Sequence, residues 1–287
     1  MSLSYEYMPL VDAHMHVPRL STLRPAWLDW ANRFGAPGWR EVFDRDGDPM
    51  PDRLDAMLDS QGVNRALLFC EYSPRATGIQ AIEDLIPIRD YNVTRFRLVA
   101  NVNPHLHYPI GAEVERQLDL GAVAVKLHPV HGAFSPADVE VRPVFHVCAE
   151  RAVPVIVHSG ISTFPGSRSR YGDPALLLDV IEDFPQVNVV IAHGGRGWWY
   201  DTAAFLALTR HNVWLDLAGL PPHKLAQYYA RFDLVRLAEK WIFGTDWPGA
   251  PGIRRNADSL RDIGLPAEVL RGVYAGNAAK VFPGLDI

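Results

Sequence analysis

Eight short apolar runs rich in Val, Ile and Leu recur along the chain, and they constrain its fold more than any other feature. They span 10–16 (LVDAHMH), 66–70 (ALLFC), 98–102 (LVANV), 123–128 (VAVKLH), 155–158 (VIVH), 189–193 (VVIAH), 213–217 (VWLDL) and 241–246 (WIFGTD). Runs this short, without clean alternation, fit strands buried on both faces, as in a parallel sheet. Helix-like segments lie between them. Residues 52–61 carry Leu54, Met57 and Leu58 at helical spacing, with Gly62 as a stop. Segment 174–184 starts behind Asp173, a plausible N-cap, with Pro174 at the first helical position. Further helices are predicted over 113–120, 141–152, 202–210, 224–240 (with a break), 258–263, 266–274 and 277–282.

Strand alternating with helix eight times predicts an α/β protein built as a (β/α)8 TIM barrel, in preference to an open doubly wound sheet. No Gly-x-Gly-x-x-Gly follows the first run, which argues against a dinucleotide site. A single barrel takes about 250 residues, so the 287 residues read as one domain over 1–287. The excess is the long connection 17–50, which carries Trp27, Trp30, Phe34, Trp39 and Phe43. Its aromatic content argues against disorder, and it is predicted to fold over the barrel mouth.

Composition narrows the partners. A formal charge of −5 with no basic run argues against nucleic acid. The two cysteines, Cys70 and Cys148, make neither a disulfide framework nor a Cys-rich metal site. No signal peptide and no membrane span is predicted, so a soluble cytoplasmic protein acting on a small molecule is the expectation.

Polar residues carry the functional signal, because they sit at the ends of the apolar runs. His14 and His16, Lys126 and His128, His158, His193 and Asp246 all occupy such ends. In a barrel the C-terminal strand ends form the active site, and an unpaired imidazole or carboxylate is a costly core residue. His14 and His16 are two apart on a strand and share a face. With a third imidazole, His158, and the carboxylate of Asp246, they suit a divalent transition metal. His193, beside two glycines, is a further ligand or a base that guides the metal water. The second role is preferred, since a catalytic metal keeps a position open. Asp246 could bind the metal, accept the water proton, or do both; an Asx-turn before Pro248 is the plainer alternative.

Lys126 is a bridging carbamate, a cation for a substrate carboxylate, or a structural partner of Asp12 or another acid. Asp12 precedes His14 and is expected behind the ligands on the same face. His131 follows KLHP on a mouth loop. Arg168, Arg170 and Arg196 lie on mouth loops too and could bind a carboxylate bidentately. Trp27, Trp30, Trp39, Trp198, Trp199 and Trp247 suggest a partly aromatic pocket, with core packing the alternative for each.

The motifs VDAHMH, AVKLHP, VIVHSG, IAHGG, FGTDWP and GNAAKVF, in this order, resemble the amidohydrolase-related branch of the amidohydrolase superfamily. That branch holds aminocarboxymuconate-semialdehyde decarboxylase, resorcylate-type decarboxylases, dicarboxylate lactonases and C–C hydrolases. The resemblance runs from Leu10 to Phe282 and implies a distorted (β/α)8 barrel with one metal, usually zinc, with Mn2+ or another divalent ion open. It implies His14, His16, His158 and Asp246 as ligands and His193 as the group that orients the metal water. Lys126 falls on the strand that carries a carboxylated lysine in two-metal members. Many aromatic-acid decarboxylases of the branch have an acid where His14 stands. Homodimers are common among its members.

The activity expected is therefore a metal-dependent hydrolase that uses an activated water on an ester, lactone, amide or activated C–C bond. Catalysis is expected from Asp246 and His193. Lys126, His128, Arg196, Trp247 and Arg168 are expected to bind a small carboxylated or aromatic substrate. The alternative is a metal-dependent non-oxidative decarboxylase of an aromatic or muconate-like acid.

Overall fold

Each apolar run supplies a strand of one parallel sheet in the computed structural model, which describes residues 8–249 and 251–286. The strands are β1 (Val11–Met15), β2 (Arg65–Phe69), β3 (Phe96–Val102), β4 (Ala122–Leu127), β5 (Val155–Gly160), β6 (Val189–Arg196), β7 (Val213–Asp216) and β8 (Trp241–Ile242). Their spatial order equals their order in the chain, as right-handed strand–helix–strand units require. The barrel closes beyond the short β8. There Ala13 N–H donates to Phe243 O at 3.0 Å, Asp246 N–H to His14 O at 2.9 Å, and His16 N–H to Trp247 O at 2.9 Å.

Alternation along the strands divides the core in two. Leu67, Phe69, Val99, Ala124, Ile156, Val190 and Ala192 meet inside the barrel, above Ala278 and Val281 of the last helix, Asn277–Val281, and Phe282 just after it. Ala66, Leu68, Val125, Leu127, Val155, Val157, Val189 and Ile191 face outward into a larger cluster beneath the helices. A strand pair enclosed on both sides has no polar face to spare, so polar side chains collect at the strand ends.

The helices follow their sequence signals with small shifts. Pro51–Ser60 and Ile110–Asp119 are helical. Segment 174–184 begins as a 3-10 turn, Pro174–Leu177, and continues as Leu178–Asp183, with Asp173 Oδ1 accepting from Ala175 N–H at 2.9 Å. Segment 224–240 is broken into Leu225–Tyr228 and Leu234–Ala238. Three elements had no clear periodic signal: the helices Pro25–Phe34 and Ile86–Tyr91, and a hairpin pairing Glu71–Ser73 with Gly78–Gln80.

The 17–50 connection is tied down by aromatic contacts. Trp27 meets Trp39 edge-on at 6.1 Å, Trp39 meets Phe43 at 5.7 Å, and Phe43 stacks on Trp247 at 6.3 Å. Trp30 meets Phe164, beyond β5, at 5.7 Å. Among the described residues no helix is long and apolar enough to cross a membrane.

Candidate metal centre

Two strands reach the mouth by plain alternation. Ala124 and Ile156 face the barrel interior, so Lys126 and His158, two residues on, enter the mouth from β4 and β5. His14 and His193 need backbone irregularities. On β1 the register slips between Asp12, opposite Ala66, and Met15, opposite Leu68. The residue gained at this bulge lets His14 stack on the inward-facing Phe69, with ring centroids 4.2 Å apart. On β6 the residues from Ala192 to Arg196 stand opposite only His158 to Gly160. His193 is left-handed there (φ 62°), followed by Gly194 and Gly195 at φ 53° and 77°. Without this turn His193 would follow Ile191 into the outer core. Asp246 is left-handed as well (φ 64°). Such conformations cost about 1 kcal/mol or more in a non-glycine residue and concentrate at functional sites.

These irregularities bring donor atoms of His14, His193 and Asp246 within 4.8 Å of one another. His16 Nε2 lies 3.5 Å and His14 Nε2 3.7 Å from Asp246 Oδ1. Each of two imidazoles is fixed through its Nδ1: His14 contacts Asp216 Oδ2 at 2.5 Å, and His193 contacts Ala218 O at 2.8 Å. Donation from Nδ1 leaves Nε2 with a lone pair, the arrangement that orients histidine ligands. Asp216 is itself held by Ala218 N–H at 2.7 Å.

His158 is 3% exposed, and among the described residues neither of its ring nitrogens has a hydrogen-bond partner. Its ring stacks on His128 at 4.0 Å and meets His193 edge-on at 4.6 Å. Two orphaned nitrogens in a buried imidazole are expensive, and a cation among nitrogen and oxygen donors removes that cost. The donor set therefore fits a divalent metal.

Burial lowers the pKa of His14, His158 and His193, and the Lys126 ammonium adds to it. For Asp246 burial pushes upward, but the hydrogen bond with His16 and the facing imidazoles outweigh it and hold the carboxyl well below its usual range. Burial brings Lys126 down to about 8, against the pull of Asp216 and Asp246. Its Nζ lies 3.4 Å from His14 Nε2 and 5.1 Å from the centre of the Phe69 ring.

Above these groups is a narrow cleft of about 50 Å3. It brings together His14, His16, Lys126, His128, His158, His193, Arg196 and Asp246, and Trp27 and Trp30 of the 17–50 connection line it too. Arg196 Nη1 stands 3.9 Å from Asp246 Oδ2.

Two residues expected at the substrate lie elsewhere. Trp247 is 2% exposed and lines a separate cavity with Trp39, because Phe43 stacks on it from outside the barrel. Arg168 is exposed, and its guanidinium donates to Ser167 O at 3.1 Å. Asp12 also departs from expectation. The β1 slip separates it from the face of His14, and it accepts from Thr245 Oγ1 at 2.6 Å and Thr245 N–H at 3.0 Å. Burial raises its pKa to about 7 although these bonds oppose the shift. Asp12 thus anchors the backbone next to Asp246 and is not the partner of Lys126.

Sequence reasoning missed Asp216 and Glu71, whereas His131, on the mouth loop after KLHP, lines the cleft. Asp216 is the last residue but one of the run VWLDL and the last of its strand, and Glu71 follows ALLFC, so the rule that singled out the other strand ends extends to both.

The sequence profile of the amidohydrolase family matches residues 11–284. No curated protein matches the chain in sequence. Among solved structures, an uncharacterized TIM-barrel protein of Bordetella bronchiseptica is 21% identical with a TM-score of 0.78, over 95% of this chain and 98% of that one. A probable 2-pyrone-4,6-dicarboxylic acid hydrolase of Acinetobacter baumannii, with citric acid bound, is 16% identical with a TM-score of 0.65, over 96% and 99%. A dihydroxybenzoic acid decarboxylase of Polaromonas sp. JS666, with bound manganese and an inhibitor, is 15% identical with a TM-score of 0.65, over 96% and 97%. At these identities the likeness shows the shared barrel fold.

Proposed function

The chain belongs to the amidohydrolase family, and from that premise we propose that it is a metal-dependent hydrolase acting on a carbonyl group of a small, carboxylated substrate. The observation that carries this reading is the meeting of His14, His193 and Asp246 within ligand distance beside a buried His158 with no partner. His14, His16, His158 and Asp246 would hold a divalent cation, zinc in our reading, which when bound would supply Lewis acidity and lower the pKa of a water toward about 7.

The residues of the chain then do the rest. Asp246, ionised and beside His16, accepts a proton from the attacking water. His193, neutral and locked by Ala218 O, holds that water in line or passes the proton on. The water oxygen joins the carbonyl carbon, the bond to the leaving group breaks, and the proton ends on the leaving group. Among the described residues Arg196 is the one arginine of the cleft, and it is placed to pair with a substrate carboxylate. Trp27 and Trp30 cover the site from water.

One observation favours a second reading, metal-dependent decarboxylation. Lys126 lines the cleft with its Nζ 3.4 Å from His14 Nε2, and burial pushes its pKa down to about 8, which suits a proton donor to carbon at neutral pH, and the Polaromonas structure bears a decarboxylase name. A panel of lactones, carboxylated aromatics and muconate-like acids in 18O-water separates the two. Hydrolysis leaves one solvent oxygen in the organic acid product. Loss of CO2 with no solvent oxygen in the organic product overturns the hydrolase and supports the second reading.

A further inference from the structure

We infer that Glu71, His128 and His131 form a second site for a divalent transition-metal ion in the same cleft. A ligand atom from each lies within 4.8 Å of the other two. They come from the segment after β2 and the turn after β4, and they are 7%, 7% and 4% exposed. One carboxylate and two imidazoles are a common donor set for zinc and its neighbours. Neither Lys126 nor the four ligands proposed above takes part.

A cluster of donors alone proves little, but its hydrogen bonding is incomplete in an informative way. His131 Nε2 is engaged by Ser162 Oγ at 2.9 Å, while His131 Nδ1 is buried with no hydrogen-bond partner. Its nearest acid, Glu71 Oε1, is 3.8 Å away. That is too long for a hydrogen bond. It is close to the separation of two ligands that each sit about 2.0–2.2 Å from one ion. Thr77 Oγ1 donates to Glu71 Oε1 at 2.9 Å and fixes the carboxylate toward the cleft.

The His131 ring lies on His128, centroids 3.5 Å apart, and His128 in turn lies on His158 at 4.0 Å. An ion must compete with the 3.2 Å bond from His131 N–H to His128 Nδ1, and one of the two stacked rings, 12° from parallel, must turn for both to aim an in-plane lone pair at it.

Metal content tests this apart from the reaction. Stripped protein is reloaded with Zn2+, desalted, and its zinc measured per chain, with circular dichroism to confirm folding. Two ions are expected in wild type, and one in E71Q, in H131Q and in H14A. E71Q and H131Q are paired so that a folding defect in one leaves the other as the test. Two ions retained by either folded variant, or a single wild-type ion that both keep and H14A loses, overturn the second site. The latter result leaves the proposed reaction intact. A single ion lost in E71Q and H131Q but kept in H14A supports this site and overturns the ligand set proposed for catalysis.

Discussion

The floor and the mouth of the barrel are built from the same strands by opposite rules. On the floor Leu67, Val99, Ala124, Ile156 and Val190 pack into one apolar cluster, and the register slip between β3 and β4 at Leu98–Ala100 re-aims no polar side chain into it. At the mouth, a few residues further along, β1 and β6 slip register, His193 and Asp246 turn left-handed, and six imidazoles gather in one cleft. Regular backbone buries apolar surface at no local cost. Irregular backbone is tolerated where ligation or hydrogen bonding repays it.

Breaking the mouth should therefore damage chemistry, and breaking the floor should damage stability. D246N is expected to lower kcat about 10²–10⁴-fold on whichever substrate the panel identifies, with an unchanged urea midpoint in metal-free protein. A midpoint that falls along with kcat would blur the division between the two regions.

I156A, on the floor, should cost about 2–5 kcal/mol in urea unfolding while folded enzyme keeps its activity. H158L, two residues on, sharpens the contrast. In metal-free protein it removes two buried unpartnered nitrogens, so stability should hold or rise; with metal present it should fall below wild type. A large loss in the metal-free state would mean that His158 belongs to the floor's packing.

D216N removes the carboxylate behind His14 Nδ1. Metal affinity should drop about 10–100-fold, read by competition with a chelator, and kcat at saturating metal should change less.

The smallest effect is expected from G219A. Gly219 has φ 68°, and a Cβ there would sit 2.6 Å from Arg196 Nη1 and 3.2 Å from Asp246 Oδ2. The left-handed backbone should cost about 1 kcal/mol. The displaced guanidinium should raise KM for a carboxylated substrate more than it lowers kcat. An unchanged KM would remove Arg196 from substrate binding.

Much of the barrel is legible in the chain because burial on both faces leaves a continuous apolar run, and eight such runs with helices between them have one economical packing. Lys126 and His158 are legible in the same way, by counting two residues from an apolar partner. The hairpin over 71–80 is not, because Glu71–Ser73 is three residues long and carries no period. Trp247 misled for a related reason: it follows Asp246 directly, but the turn at Asp246 sends it toward Phe43 and away from the cleft.

By itself, then, the sequence determined the strand–helix alternation, the family, and the crowding of His and Asp at strand ends. Tertiary structure alone decided which of them meet. Asp216 supports His14 across 202 residues of chain, Thr245 holds Asp12 across 233, and His131 reaches the cleft through a stack on His128. Alternation is a local property of a strand and can be counted. A bulge that re-aims His14, or a left-handed turn that re-aims His193, is fixed by the pairing of neighbouring strands, which no local count contains.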